Sequence, residues 1–241
     1  MVQIEQSKYG NVYLDVSKDN TVVFVSGGLD SAVLLYLIAK EIKLTKSQTN
    51  LHVLTAIRMN PTSDKTLDRV DNLIPAQKVI DYVYENTGVK VKEHHTMQAE
   101  YYWLTTEVNG KMVSSYSFAQ ETLTHLMIRR CHKLKESVAY YNGVTMNPPK
   151  ESVPQSEESH RDNIISGIEG TVSVANGSFM DAFRNADKRI TIDLAKKYGI
   201  LEDLLDFTRT CEGNGEKTNN YTTDCGECWW CLEKQWALEN A

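Results

Sequence analysis

Residues 21–40 read TVVFVSGGLDSAVLLYLIAK, and the fold is decided in this stretch. Thr21-Val22-Val23-Phe24-Val25 is a continuous β-branched and aromatic run, the pattern of a strand buried on both faces. After the glycines, Ala32, Val33, Leu34, Leu37 and Ile38 put apolar groups on one broad face, which predicts a helix through about residue 42. A buried strand that turns at once into an amphipathic helix is the opening unit of a parallel sheet with crossover helices.

Working outward, Leu51 to Ile57 reads as a second strand, and the polar stretch 58–72, with Asn60-Pro61, as a loop. A helix is predicted from Pro75 to Asn86 with Gly88 as its stop, then a third strand from Val89 to Glu93 with His94 and His95 at its end. Adjacent strand residues point to opposite faces, so at most one of these histidines faces a ligand, and a structural role is favoured. Asn109-Gly110 marks an inserted hairpin within 97–115, Phe118 to Leu134 a helix, and Ser137 to Tyr141 a fourth strand ending at Asn142-Gly143. A hairpin is expected before residue 20, with Asn11 to Asp15 as a strand and Lys18-Asp19-Asn20 as a turn. Residues 145–187 show no long periodic segment, and so long an irregular region points to function. Two short helices, at about 190–198 and 201–207, complete the pattern. The expectation is an α/β fold, a doubly wound parallel sheet over residues 1–207, with a small C-terminal element over 208–241. Ligands belong at the carboxyl ends of its strands.

Composition narrows the function classes. The 241 residues are 41% hydrophobic and 24% charged, which excludes wholesale disorder. No apolar run approaches the roughly 20 residues of a membrane span. The first residues, MVQIEQSKYG, lack the pattern of a signal peptide, so the cytoplasm is the expected compartment. A net charge of −6 argues against general nucleic-acid binding and leaves one candidate basic face, at Arg184, Lys188, Arg189, Lys196 and Lys197.

SGGLDS, residues 26–31, stands where helix amides favour an anion. Gly27 and Gly28 allow close approach of the backbone, Ser26 and Ser31 add hydroxyl donors, and Asp30 suits a bridging metal ion or a helix cap. A Walker lysine and a GxGxxG fingerprint are both missing from this turn, which argues against γ-phosphate transfer and hydride chemistry. At the other end, Cys211, a 13-residue loop, and Cys225, Cys228 and Cys231 offer four thiolates to one tetrahedral zinc ion. An iron-sulfur cluster is the rival for the same ligands. Cys131, among apolar helical neighbours, reads as a buried small residue.

SGGLDS resembles the SGGxDS signature of the PP-loop ATP pyrophosphatases. Together with CGECWWC and the Thr208-Arg209-Thr210-Cys211 segment, it resembles the zinc-containing branch of 7-cyano-7-deazaguanine synthases. The resemblance implies ATP, Mg²⁺ and Zn²⁺ as cofactors and cleavage of ATP to AMP and pyrophosphate. It implies nucleotide binding by Ser26, Gly27, Gly28, Leu29, Asp30, Ser31 and Gly143. Catalytic roles fall to Asp30, Ser31 and Lys188, the last as a second phosphate contact. The substrates it implies are a deazapurine-like small molecule with an activated carboxylate and a nitrogen donor. A protein acceptor, or a nucleotide-binding module that works without turnover through a partner, are the alternatives, and a homodimer is left open. A tRNA thiolation ligase would want a basic surface and a sulfur-carrying cysteine, and neither is evident. The segments NGVTMNPPKES (142–152) and IRMNPTSDK (57–65) depart from that branch on its substrate side.

Overall fold

The computed structural model describes residues 3–61, 68–70, 72–99, 105–108, 111–149, 151–153, 172–174, 177–213, 215–219 and 222–241. Its centre is a sheet of five parallel strands: β3 (Asn20–Phe24), β4 (Asn50–Pro61), β6 (Glu93–Ala99), β9 (Val138–Asn142) and β11 (Gly177–Asp181). They lie side by side as β11-β9-β3-β4-β6. Counted in chain order, the parallel strands run 3-2-1-4-5, the arrangement of doubly wound sheets. Two short antiparallel strands extend it, β10 (Val172–Val174) beside β11 and β5 (Asp68–Val70) beside the far end of β4.

The alternating direction of strand side chains explains why both faces are apolar. Val23, Val25, Val53 and Tyr141 pack on one face with α1 (Leu29–Thr45), α2 (Leu73–Thr87), α4 (Arg189–Lys197) and α5 (Leu201–Phe207). Val22, Phe24, Leu54 and Tyr140 pack on the other against α3 (Ser115–Leu134), where Leu123, Met127 and the buried Cys131 meet them. The last helix, α6 (Trp229–Asn240), sends Ala237 into the first of these cores. Gly88, at φ 75, ends α2 in a left-handed cap whose N–H donates to the Tyr84 carbonyl at 2.7 Å. No described helix is long and apolar enough to cross a membrane.

Several elements differ from the sequence reading. The N-terminal hairpin pairs β1 (Gln3–Ser7) with β2 (Gly10–Leu14), so its turn is at Lys8-Tyr9, and Asp19 instead accepts the Ser137 N–H at 2.7 Å. β4 continues through the expected loop to Pro61, because β6 pairs it as far as Arg58 and β5 pairs Met59 to Pro61. The third parallel strand begins at Glu93 rather than Val89; the ladder to β4 starts at the His52–Glu93 pair. The irregular region holds a fifth parallel strand, β11, that takes its ladder from β9. The inserted hairpin is present as β7 (Thr105–Val108) and β8 (Lys111–Ser114), with Asn109-Gly110 outside the described residues.

Candidate active site

The 3-2-1-4-5 order puts its reversal between β3 and β9, and the chain leaves β3 there through SGGLDS into α1. The loop is braced from within. Ser31 Oγ donates to the Gly28 carbonyl at 3.0 Å and accepts from the Ser26 N–H at 3.2 Å. Gly28 is the first boundary residue of α1 and no side chain caps the helix, so the free amides of the first turn keep their anion-binding capacity. The glycines serve different ends. Gly27 has φ +81, and a Cβ there would stand 2.8 Å from the Asn72 carbonyl oxygen at the entrance to α2. Gly28 has φ −91, and a Cβ would find contacts no closer than 3.4 Å. Gly143, just past β9, brings its backbone against the first turn of α1; a Cβ would lie 3.2 Å from the Cα and N of Ser31. Leu29 is wholly buried in the core and anchors the helix start.

Asp30 and Lys188, 158 residues apart in sequence, meet in an ion pair. The crossover after β9 brings Lys188 in: Met146 bridges to Asp187, and its N–H donates to the Ala186 carbonyl at 2.9 Å. Thr191, one turn further along, donates to the second Asp30 oxygen at 2.9 Å. Lys188 is 1% exposed, and its ammonium also stands 3.6 Å from Glu233, which is fully buried on α6. The sequence reading missed Glu233. The signal was its spacing, four residues from both Trp229 and Ala237, in the middle of the buried stripe of α6.

The cysteine element joins the same site. The Arg209 N–H donates to the Gly27 carbonyl at 2.9 Å, and two residues on, Cys211 begins the cluster. One sulfur from each of Cys211, Cys225, Cys228 and Cys231 lies within 4.8 Å of the other three. Cys225 to Cys231 and Cys211 to Cys228 are each 3.9 Å, and all four are free thiols. The Cys228 thiol donates to Cys211 and holds the Cys211 thiol below its ordinary range, and although burial opposes this, N–H groups of Cys225 and Gly213 help the thiolate. Gly213 is required by packing, since a Cβ there would lie 2.9 Å from the Cβ of Cys225.

Other singled-out residues fall elsewhere. Most of the expected basic face is engaged within the protein: Arg189 pairs with Asp187 at 2.8 Å, Lys197 with Glu5 at 3.1 Å, Lys196 donates to the Ala241 carbonyl, and Lys188 is buried. His94 is held on the α2 face by Thr55 Oγ1 at 2.9 Å, and His95 points to the opposite, α3 face. Both lie near the start of β6 rather than at a strand end.

The chain matches no protein-family model and no curated protein. Among solved structures it is similar to the U34-tRNA thiolase NcsA from Methanococcus maripaludis with its 4Fe-4S cluster. The identity is 15% and the TM-score 0.42, over 93% of this chain and 65% of the thiolase, so the chain spans less than two thirds of that protein's length. It is also similar to NMN synthetase from Francisella tularensis, with 11% identity and a TM-score of 0.39, over 92% of this chain and 85% of that one. The functional reading rests on this chain's own residues.

Proposed function

We propose that the protein is an ATP-dependent adenylating enzyme of the PP-loop kind, splitting ATP into AMP and pyrophosphate. The observation that carries this is SGGLDS at the start of α1, placed at the reversal point of a doubly wound sheet with its first-turn amides uncapped. Gly28 supports it: neither its backbone torsion nor its packing demands a glycine, so the missing side chain serves close approach by a ligand. In the proposed reaction a substrate carboxylate oxygen attacks the α-phosphorus of ATP. The bond from that phosphorus to the bridging oxygen breaks, and the electron pair leaves with pyrophosphate. The amides of α1 and the hydroxyl groups of Ser26 and Ser31 take up the charge that grows on this leaving group. A nitrogen nucleophile then attacks the acyl adenylate and displaces AMP.

Asp30 accepts one bond on each oxygen, and a carboxylate has about four lone-pair sites, so it retains capacity for the Mg²⁺ that would neutralise the phosphates. Lys188 acts through Asp30, fixing its orientation while adding positive charge beside the loop. The cysteines fit a single zinc ion. Thiolates about 2.3 Å from zinc stand about 3.8 Å apart at the corners of a tetrahedron, close to the two 3.9 Å pairs here. Ligands to separate irons of a cubane stand farther apart than ligands sharing one ion. The acceptor class is a carboxylate-bearing, deazapurine-like small molecule, on the strength of the tail motif beside the loop. Incubation with ATP, Mg²⁺ and candidate carboxylates, followed by phosphorus NMR, tests the reaction. AMP and pyrophosphate are expected, and Ser31→Ala should lower turnover about 10²-fold. ADP and orthophosphate as the only products would reject the assignment.

A further inference from the structure

Across the sheet from the loop, on the α3 face, three further ligand groups converge. The β4–β6 register sets His52 beside Glu93 and Leu54 beside His95, and the two-residue alternation puts Glu93 and His95 on the face of His52. His52 is 1% exposed, with Nε2 3.2 Å from Asn20 Oδ1. The Asn20 amide group donates to Glu136 at 2.9 Å, which fixes Oδ1 as the atom turned toward the imidazole. Nε2 therefore carries the hydrogen, and Nδ1 presents a lone pair. That lone pair faces Glu93 Oε2 at 3.9 Å, and His95 Nε2 lies 3.0 Å from the same oxygen. Among the described residues neither ring nitrogen has a hydrogen-bond partner. With Nε2 of His52 holding the hydrogen, its Nδ1 lone pair and the Glu93 carboxylate are two acceptors turned toward each other, an arrangement that a cation between them would satisfy.

We propose that His52 Nδ1, His95 Nε2 and the Glu93 carboxylate form a second metal site, separate from the cysteine cluster, for a first-row divalent ion such as zinc. The three ligand atoms lie within 4.8 Å of one another. Nitrogen and oxygen ligands about 2.0–2.2 Å from zinc stand roughly 3.3–3.6 Å apart in a tetrahedron, and the observed 3.0 and 3.9 Å bracket that spacing. An imidazole and carboxylate set without sulfur suits zinc and its neighbours over softer ions. Asn20 is the partner that orients a metal-binding imidazole and sets its tautomer. Arg130 also holds Glu93 through both carboxylate oxygens, Nη1 donating to Oε2 and Nη2 to Oε1 at 2.9 Å. Its charge weakens the hold on a cation, so the ion exchanges with solution where the cysteine-bound ion does not. The ion would clamp the edge strand β6 to β4.

The test uses the full chain with its cysteine element loaded with zinc and excess metal removed. Equilibrium dialysis against zinc near neutral pH, with elemental analysis, should show one additional ion per chain. His95→Gln and Glu93→Gln should each abolish that ion and leave the tightly held one. Asn20→Ala should weaken it about tenfold or more. Arg130→Ala should tighten it about tenfold by removing a neighbouring positive charge. On the unmodified protein, NMR of nitrogen-labelled histidines should show zinc shifting Nδ1 of His52 and Nε2 of His95, a readout independent of how the variants fold. No second ion, a second ion that survives His95→Gln, or shifts confined to His125 and His132 would overturn the proposal.

Discussion

Replacing Lys188 with methionine keeps the length of the side chain and removes its charge, so Asp30 loses its ion-pair partner. The side chain of Asp30 is 18% exposed, so water makes good the lost partner only in part. Removing one partner of a buried ion pair costs about 3–5 kcal/mol, because a charge stays behind in a medium that solvates it poorly. Thr191 continues to donate to Asp30 at 2.9 Å, which places the expectation toward the lower end of that range. For a chain of this size each kcal/mol moves the melting temperature by about 2–4 °C, so Lys188→Met should melt roughly 6–15 °C lower. Calorimetry at neutral pH measures the shift. Adding Asp30→Asn to Lys188→Met should recover part of the loss, since it removes the carboxylate left beside the missing ammonium, and the double-mutant cycle reads the coupling. A Lys188→Met protein within about 1 kcal/mol of the parent, or strictly additive losses in the cycle, would refute the buried-pair account.

Glycines at the loop separate by mechanism: Gly143→Ala should destabilise by about 1–3 kcal/mol, because its methyl group would press on the backbone of α1 at 3.2 Å. Gly28→Ala should leave the melting temperature nearly unchanged yet weaken ATP binding, measured by calorimetric titration. Cys228→Ser should abolish metal binding by the four cysteines and lower thermal stability together, because metal binding and folding of such an element are linked; elemental analysis and melting of the same sample check both. Burial pushes the Glu5 carboxyl up, but bonds from Tyr198, Lys40 and Lys197 outweigh it and hold its pKa below the ordinary 4.5. That contribution is complete above pH 4.5 and disappears as pH falls through the lowered folded value, so Glu5→Gln should cost stability at neutral pH and progressively less in acid.

The legible parts of the fold were those whose burial is two-sided. Val22 and Phe24 face α3 while Val23 and Val25 face α1, so an uninterrupted apolar run announced the central strand. Edge and late strands carry no such run. β6 reads EHHTMQA and β11 reads GSFMD; their pairing comes from β4 and β9, and a polar segment that borrows its ladder from a neighbour looks like a loop in isolation. The candidate site divided in the same way. SGGLDS and CGECWWC are local patterns and were readable, and Lys188 was singled out, but its partnership with Asp30 spans 158 residues and follows only from the topology. Glu233 was hidden because a glutamate on a helix is read as solvated unless its neighbours at spacing four are seen to be buried. His95 was singled out, but its grouping with His52 and Glu93 was hidden because it depends on the register between β4 and β6, which a strand placed four residues too early scrambles.

The bracing of the first loop by residues near the other end of the chain has a consequence in time. Ser26 to Ser31 are synthesised early, while Lys188, Arg209 and Glu233, which hold Asp30 and Gly27, follow as many as about two hundred residues later. At about 5–20 residues per second, Asp30 waits roughly 10–40 s for the last of them. A product cut short before residue 211 keeps the Lys188 and Arg209 contacts but lacks both the glutamate beside Lys188 and the cysteine element. The contacts that position Asp30 and Gly27 are therefore among the later ones to form as the chain is made.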